Sequence, residues 1–212
     1  MIMQTAGIDY SYEICWDYFG KPWLDIKQDI PFGQLPILIV DCTGIIFQSN
    51  SIIRYLAPFT GHMPEDQLLA SKVDSLFESA HDLFPPLNPV INVRWGKAFE
   101  TGKAELEEIL PAKLAHFAKQ YDRYDGPFFF GDAPYYCDFA AFHHFDMAEL
   151  LMPEILTAFQ GLQRFMVAMR SFPKIQQFLD TRPELINVGV DSRMRTVKGE
   201  VSTGPFPALR SL

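Results

Sequence analysis

Pro31-Phe32-Gly33-Gln34-Leu35-Pro36-Ile37-Leu38-Ile39-Val40, followed after a short interval by Gln48-Ser49-Asn50-Ser51-Ile52-Ile53-Arg54-Tyr55-Leu56, decides the reading of this chain. A turn delivers a proline to the start of a β-branched apolar run, which favours a strand. A second short strand follows at residues 45–47, and the polar Gln48-Ser49 pair then opens an amphipathic helix. A cis bond costs an X-Pro peptide only about 0.5–1 kcal/mol. A trans Pro36 would simply open an edge strand; if the Leu35-Pro36 bond is cis, the chain turns sharply and leaves the Leu35 N–H and C=O facing outward, free to pair with an extended peptide strand to strand. Ser49 falls where a helix N-cap is expected, so its hydroxyl, the nearby amides and the positive end of the helix dipole favour a carboxylate. A strand edge beside an anion hole suits a short acidic peptide.

The rest of the composition narrows the field. At 212 residues and 48% apolar content the chain holds one large domain or two small ones with an ample core. Its formal net charge is −8, and its 18 Lys and Arg are scattered, which excludes a phosphate backbone and hence nucleic acid as partner. No apolar run approaches the roughly 20 residues of a membrane span, and the N-terminal residues lack the charged and apolar regions of a signal peptide, so a cytoplasmic address without membrane contact is expected. Cys15, Cys42 and Cys137 are an odd set without CxxC spacing. They read as reduced thiols, neither a disulfide framework nor a zinc site. A redox protein working through Cys15 or Cys42 would need a CxxC and a helix N-terminus beside the thiol, and the sequence offers neither.

Residues 9–14 alternate and are rich in tyrosine, 23–29 suit a short helix, and 37–40 and 45–47 read as strands, so the first part is α/β. Beyond the turn cluster Pro58-Phe59-Thr60-Gly61-His62-Met63-Pro64, the apolar residues Leu69, Val73, Leu76, Phe77, Ala80 and Phe84 recur at helical spacing. Further helices are expected over 103–124, 138–151, 162–170 and 173–181, and the second part is all-α. The tail from 187 has Gly, Ser, Thr and two prolines with little periodicity, and is either mobile or strapped across the surface. The expected organisation is residues 1–58, an all-α unit over 59–186, and a tail over 187–212. His143-His144 invites a metal reading, but adjacent helical residues point about 100° apart and do not converge on one ion. A packed or surface pair is expected instead. Phe128-Phe129-Phe130 reads as core, and Phe84, Pro85, Pro86 and Arg94 border either an acceptor pocket or a helix-to-loop contact.

The arrangement resembles the cytosolic glutathione transferases over most of its length, the sigma class most closely, with mu and pi near behind. The family pattern Trp-x-x-x-Lys-x-x-x-Pro-Phe-Gly-x-x-Pro stands as Trp23, Lys27, Pro31, Phe32, Gly33 and Pro36, and Gln48-Ser49 with its helix follows. Gly131-Asp132-Ala133-Pro134-Tyr135-Tyr136-Cys137-Asp138-Phe139 resembles the signature of the family's helical domain, in which a Ser or Thr caps a helix whose capping-box acid here is Asp138. Tyr135 stands in place of the capping hydroxyl. A phenol cannot fold back onto the N3 amide as Ser or Thr does, so the box is impaired, with about 1 kcal/mol of local stability at issue.

The resemblance implies a thioredoxin-like α/β domain followed by an all-α domain, in a homodimer that binds glutathione as co-substrate, holds no metal and presents the thiolate to a small electrophile. Leu35, behind Pro36, would pair with the cysteinyl backbone of glutathione. Gln48 and Ser49 would hold its γ-glutamyl carboxylate, with Gln34 completing the polar pocket. Trp23 and Lys27 would address the glycyl end, a directional indole N–H and a cation suited to a carboxylate. Asp82 matches the acid on the first long helix that reaches across the dimer interface to the γ-glutamyl ammonium. In the family a first strand, and the tyrosine that stabilises the thiolate, precede the segment matched by Thr5-Ala6-Gly7-Ile8-Asp9. The chain begins too late to contain either, so the catalytic residue is unassigned. Tyr10 and Tyr12, expected on the second strand, lie on the wrong element for that role. The rival expectation is a non-catalytic relative that keeps the fold and binds a ligand.

Overall fold

The computed structural model describes residues 1–41, 44–196 and 199–203. Cys42 and residues 204–212 of the tail lie outside the described residues. Helix α1 (Ile2–Ala6) ends at Gly7, whose φ of 69° is the left-handed stop that glycine supplies most readily. Residues 8–14 carry no regular structure, although the alternation over 9–14 predicts a strand. None of the described strands pairs with them, and an unpaired strand has no ladder to hold it. Tyr10 and Tyr12 thus sit on an exposed irregular segment rather than on a strand.

Helices α2 (Cys15–Phe19) and α3 (Trp23–Ile26) follow, then two single 3₁₀ turns, Lys27–Asp29 and Pro31–Gly33. Strands β1 (Ile37–Val40) and β2 (Gly44–Phe47) pair antiparallel, Leu38 opposite Ile46 and Ile39 opposite Ile45. The period of two decides their faces: Leu38 and Ile46 pack onto the core, while Ile39, Ile45 and Phe47 are exposed. Helix α4 (Ser49–Phe59) closes this α/β part, burying Ile52, Leu56 and Ala57.

The helical part begins with α5 (Gln67–His81), capped by Asp66, whose carboxylate accepts the Leu69 N–H at 2.7 Å. A helix not expected from the sequence, α6 (Phe84–Asn92), comes next. Its Pro85 and Pro86 read as breakers, yet a proline in the first helical turn loses no hydrogen bond and arrives with φ already set. Then come α7 (Gly96–Tyr121), α8 (Tyr136–Leu151), α9 (Gln160–Arg170) and α10 (Pro173–Thr181). Their shared core holds Val73, Phe77, Leu110, Leu114, Phe142, Phe145 and Phe165. Phe129 sits at its centre, edge-on to Phe165 with centroids 4.9 Å apart.

Three polar clasps fix these layers. Arg54 of α4 pairs with Asp74 at 2.8 Å and with Glu78, both on α5, and its guanidinium lies 5.1 Å from the Phe77 centroid. Asp74 also accepts the Tyr136 hydroxyl of α8 at 2.8 Å. His62 receives the Tyr136 N–H on its carbonyl at 3.0 Å, and its ring nitrogens meet the Pro134 carbonyl at 2.9 Å and the Thr5 hydroxyl at 3.0 Å. At the start of α8, Asp138 accepts the N–H of Tyr135 at 2.8 Å and of Phe129 at 3.0 Å. The Asp138 N–H itself goes to the Tyr135 carbonyl at 2.9 Å. The acidic half of the capping box therefore stands, and it also anchors the loop before it.

The described part of the tail is strapped, not loose. β3 (Glu184–Ile186), β4 (Arg193–Thr196) and β5 (Gly199–Ser202) form an antiparallel meander in which Arg195 bridges Glu184 at 2.8 Å and Glu200 at 3.3 Å. Ser192 donates to the Ile91 carbonyl at 2.8 Å and Thr203 to the Asn92 carbonyl at 3.1 Å, satisfying acceptors at the end of α6. Gly189 holds φ at 81° and accepts the Gly96 N–H at 2.9 Å; a Cβ there would lie 2.6 Å from the Phe99 ring.

Two outcomes are expected. Burial pushes the Asp138 carboxyl up to about 6 against its two amide donors. The folded state therefore binds the proton more tightly than the unfolded one, and the Asp138 contribution falls as pH rises from about 4 to about 6, then stays level. Asp138→Asn keeps one acceptor for two N–H groups, so it is expected to cost roughly 1–3 kcal/mol in chemical denaturation. That cost shrinks as pH rises through the same window. Gly189→Ala meets both the left-handed backbone and the Phe99 ring, and is expected to lower stability by about 1–3 kcal/mol, read as a drop in the thermal midpoint.

Candidate functional site

Trp23 opens α3 directly after Pro22 and is half-buried. Four residues on, Lys27 starts the first 3₁₀ turn and keeps its ammonium end exposed. Its stem lies along Gly33, where an added Cβ would sit 3.3 Å from Lys27 Cγ and Cε. Phe32 and Gly33 both take left-handed backbone, φ 58° and 56°, and the chain emerges extended at Gln34, φ −132° and ψ 148°. Glycine accepts this at no steric cost, whereas Phe32 is held there while its exposed ring packs on Phe47 with centroids 5.2 Å apart. Leu35 follows, 43% exposed, and the Leu35–Pro36 bond is cis.

The other half of the site is the amino end of α4. Here the structure corrects the expectation for Ser49: the N-cap is Gln48, in a non-helical conformation of φ 68° and ψ 118°, and Ser49 is the first helical residue. The chain leaves β2 through that left-handed residue, which shifts the helix start by one position. No side chain caps the first turn. Its amides therefore keep their donors turned outward, with the positive end of the helix dipole behind them. The Gln48 amide nitrogen donates to the Gln34 side-chain oxygen at 3.0 Å, a contact between the two segments that the sequence did not signal.

Lys27, Gly33, Gln34, Gln48 and Ser49 are thus linked by contact or chain continuity into one exposed surface, with Leu35 and Pro36 beside it and Trp23 one helical turn away. Asp82 is carried elsewhere, at the exposed C-cap of α5. The surface offers an ammonium, an indole N–H, a hydroxyl, two side-chain amides and free helix-start amides. It matches an extended peptide with carboxylates at its ends.

The histidines belong to the packing. His143 is exposed and His144 buried, with their rings 5.1 Å apart and inclined by 60°. Burial, then His143 and His81, push the His144 imidazole down to about 3, which keeps it neutral. Among the described residues no group of three or more His, Cys, Asp or Glu is placed to hold a metal ion, and no helix is long and apolar enough to cross a membrane.

Comparison with known proteins reaches the same place from another side. Residues 81–182 match the family model described as the glutathione S-transferase C-terminal domain. Glutathione S-transferase Mu 1 of Macaca fascicularis is 32% identical over 165 residues, covering 77% of this chain and 73% of that protein. Glutathione S-transferase P of Caenorhabditis elegans is 29% identical over 165 residues, covering 76% and 77%. Among solved structures, the pi-class glutathione S-transferase of Onchocerca volvulus superposes with a TM-score of 0.71 at 27% identity, covering 84% of each chain. A thioredoxin-like α/β part joined to an all-α part is the fold of those structures as well. With a motif surface, a fold and relatives that agree, the chain belongs to the glutathione S-transferase family.

Proposed function

We propose that this protein binds glutathione on the surface formed by Trp23, Lys27, Gln34, Leu35, Pro36, Gln48 and Ser49, and presents its thiolate to an electrophile over the helical part. The observation that carries the reading is the uncapped amino end of α4, its Ser49 hydroxyl and amides open beside the Gln34–Gln48 pair. A carboxylate there gains charge-assisted hydrogen bonds that water alone would otherwise satisfy. Leu35 supplies strand-like pairing to the cysteinyl unit, and Lys27 with Trp23 meets the glycyl carboxylate.

The chemistry is nucleophilic attack by sulfur. A free thiol is mostly protonated at neutral pH, so a donor must lower the pKa of the bound thiol. In the family that donor is a tyrosine ahead of the segment matched by Thr5 to Asp9, and Tyr10 and Tyr12 are not its equivalents. The reaction is conjugation, peroxide reduction or isomerisation. Residues 1–58 form the glutathione-binding domain, 59–186 the acceptor-facing domain and 187–212 the tail. The active form is a homodimer in which Asp82 reaches the γ-glutamyl ammonium of the other subunit's glutathione. The class placement nearest sigma rests on the Trp23-to-Pro36 motif.

Calorimetric titration with glutathione, combined with thiolate absorbance in the ultraviolet, tests this on one sample. Saturable binding with a depressed thiol pKa is expected. Binding without a thiolate would assign the chain to a ligand-carrying role, and no binding would overturn the reading. Ser49→Ala and Lys27→Ala each remove one charge-assisted contact, so each is expected to raise the dissociation constant about tenfold, or roughly 1.4 kcal/mol.

A further inference from the structure

A groove of about 420 Å³ separates the irregular segment before α2 from the end of α10 and the C-terminal strands. That volume falls in the range of roughly 300–1,000 Å³ typical of small-molecule sites. Its two walls carry opposite charge. Glu13 and Asp17 stand on one, and among the described residues Glu13 forms no ion pair. Arg182 and Arg195 stand on the other. A guanidinium has five N–H donors. Arg182 meets Asp146 through Nη1, and Arg195 meets Glu184 through Nη1 and Glu200 through Nε, so each keeps N–H groups for a further acceptor. The backbone beside the groove is open as well: among the described residues, 9–13 make no backbone–backbone hydrogen bond.

We propose that this groove binds a short free peptide of dipeptide size, its ammonium against Glu13 beside Asp17 and its carboxylate on Arg182 and Arg195. Charges on opposite walls call for ligand charges held apart, at the two ends of an extended chain rather than on one α-carbon. The hydroxyls on the arginine wall fit the same orientation. Thr181 and Thr196 spend their protons on the carbonyls of Gln177 at 2.7 Å and Gly199 at 3.0 Å, so the carboxylate falls to the guanidinium groups. Ile14, Pro183 and the exposed Tyr12 ring give the peptide's side chains apolar surface. The unpaired backbone of 9–13 can bond to an extended peptide strand to strand, which a zwitterion without peptide groups could not use. No residue of the proposed glutathione surface lines the groove, so this inference stands whether or not glutathione binds there.

The test is a calorimetric titration of the full chain with leucyl-leucine, beside leucyl-leucinamide, which lacks the carboxylate, and N-acetyl-leucyl-leucine, which lacks the ammonium. Saturable binding of leucyl-leucine is expected, at least tenfold tighter than either analogue. Equal affinity for either analogue, or no saturable binding of leucyl-leucine, would overturn the proposal, and that comparison needs no variant. Glu13→Gln and Arg195→Gln, with the fold checked by circular dichroism, are each expected to weaken the dipeptide at least tenfold. Glu13 is exposed, so its substitution leaves the fold in place even if Arg195→Gln loosens the strap. Indifference to Glu13→Gln would overturn the assignment. Lys27→Ala separates the two sites: dipeptide affinity is expected to be unchanged by it, and a loss would move the dipeptide to the glutathione surface and overturn the proposal.

Discussion

Asp138 is buried beneath the aromatic core, and the packing around α8 rests on how the cost of burying its carboxylate is met. Two amides, from Phe129 and Tyr135, point at its two oxygens. Without them a buried carboxylate would be a large penalty; with them it becomes a directional anchor. The anchor sets the Phe128–Phe130 loop, the loop seats Phe129 against Phe117, Tyr121 and Phe165, and those rings hold α7, α8 and α9 together. The same end of α8 carries Tyr136, which passes the connection through Asp74 to Arg54 and so to α4. The helix that opens the proposed glutathione surface is therefore oriented from the helical side.

Local rules made much of this legible in the sequence. The β1–β2 pair, α4 and the long helices announce themselves through a period of two or of 3.6, and the cis Leu35–Pro36 turn through its Gly-x-x-Pro setting. The residues from Trp23 to Ser49 are named by the family motif they match, not by periodicity. What escaped the reading depended on partners far along the chain. Residues 9–14 alternate like a strand but meet no described strand, and a pattern cannot report that. Helix α6 hid behind prolines whose harm depends on position within the helix. The tail strands are short and polar, held by hydroxyl bonds to α6 that leave no periodic trace. The Gln34–Gln48 contact and the shift of the α4 cap from Ser49 to Gln48 arise from one left-handed residue, which composition does not forecast.

The division of labour between the two parts follows from their chemistry. The α/β part presents donors on exposed backbone and short polar side chains, a surface suited to a zwitterionic peptide. The helical part buries most of the aromatic and aliphatic mass and ties some of its charged groups into clasps: Asp74 with Arg54 and Tyr136, and Asp146 with Arg170 and Arg182. Binding groups thus stand where the backbone is least satisfied, and the rigid clasps stand behind them.

The C-terminal strap carries a kinetic consequence. Its two hydroxyl bonds to α6 join residues 101 and 111 positions apart. Closing loops of that length costs entropy before either bond returns anything, so the strap docks only on an α6–α7 corner that is already built. During synthesis the Ile91 and Asn92 carbonyls must wait for donors about a hundred residues downstream. The helical core consequently assembles with one open end, which the strap closes only after α6 and α7 are in place.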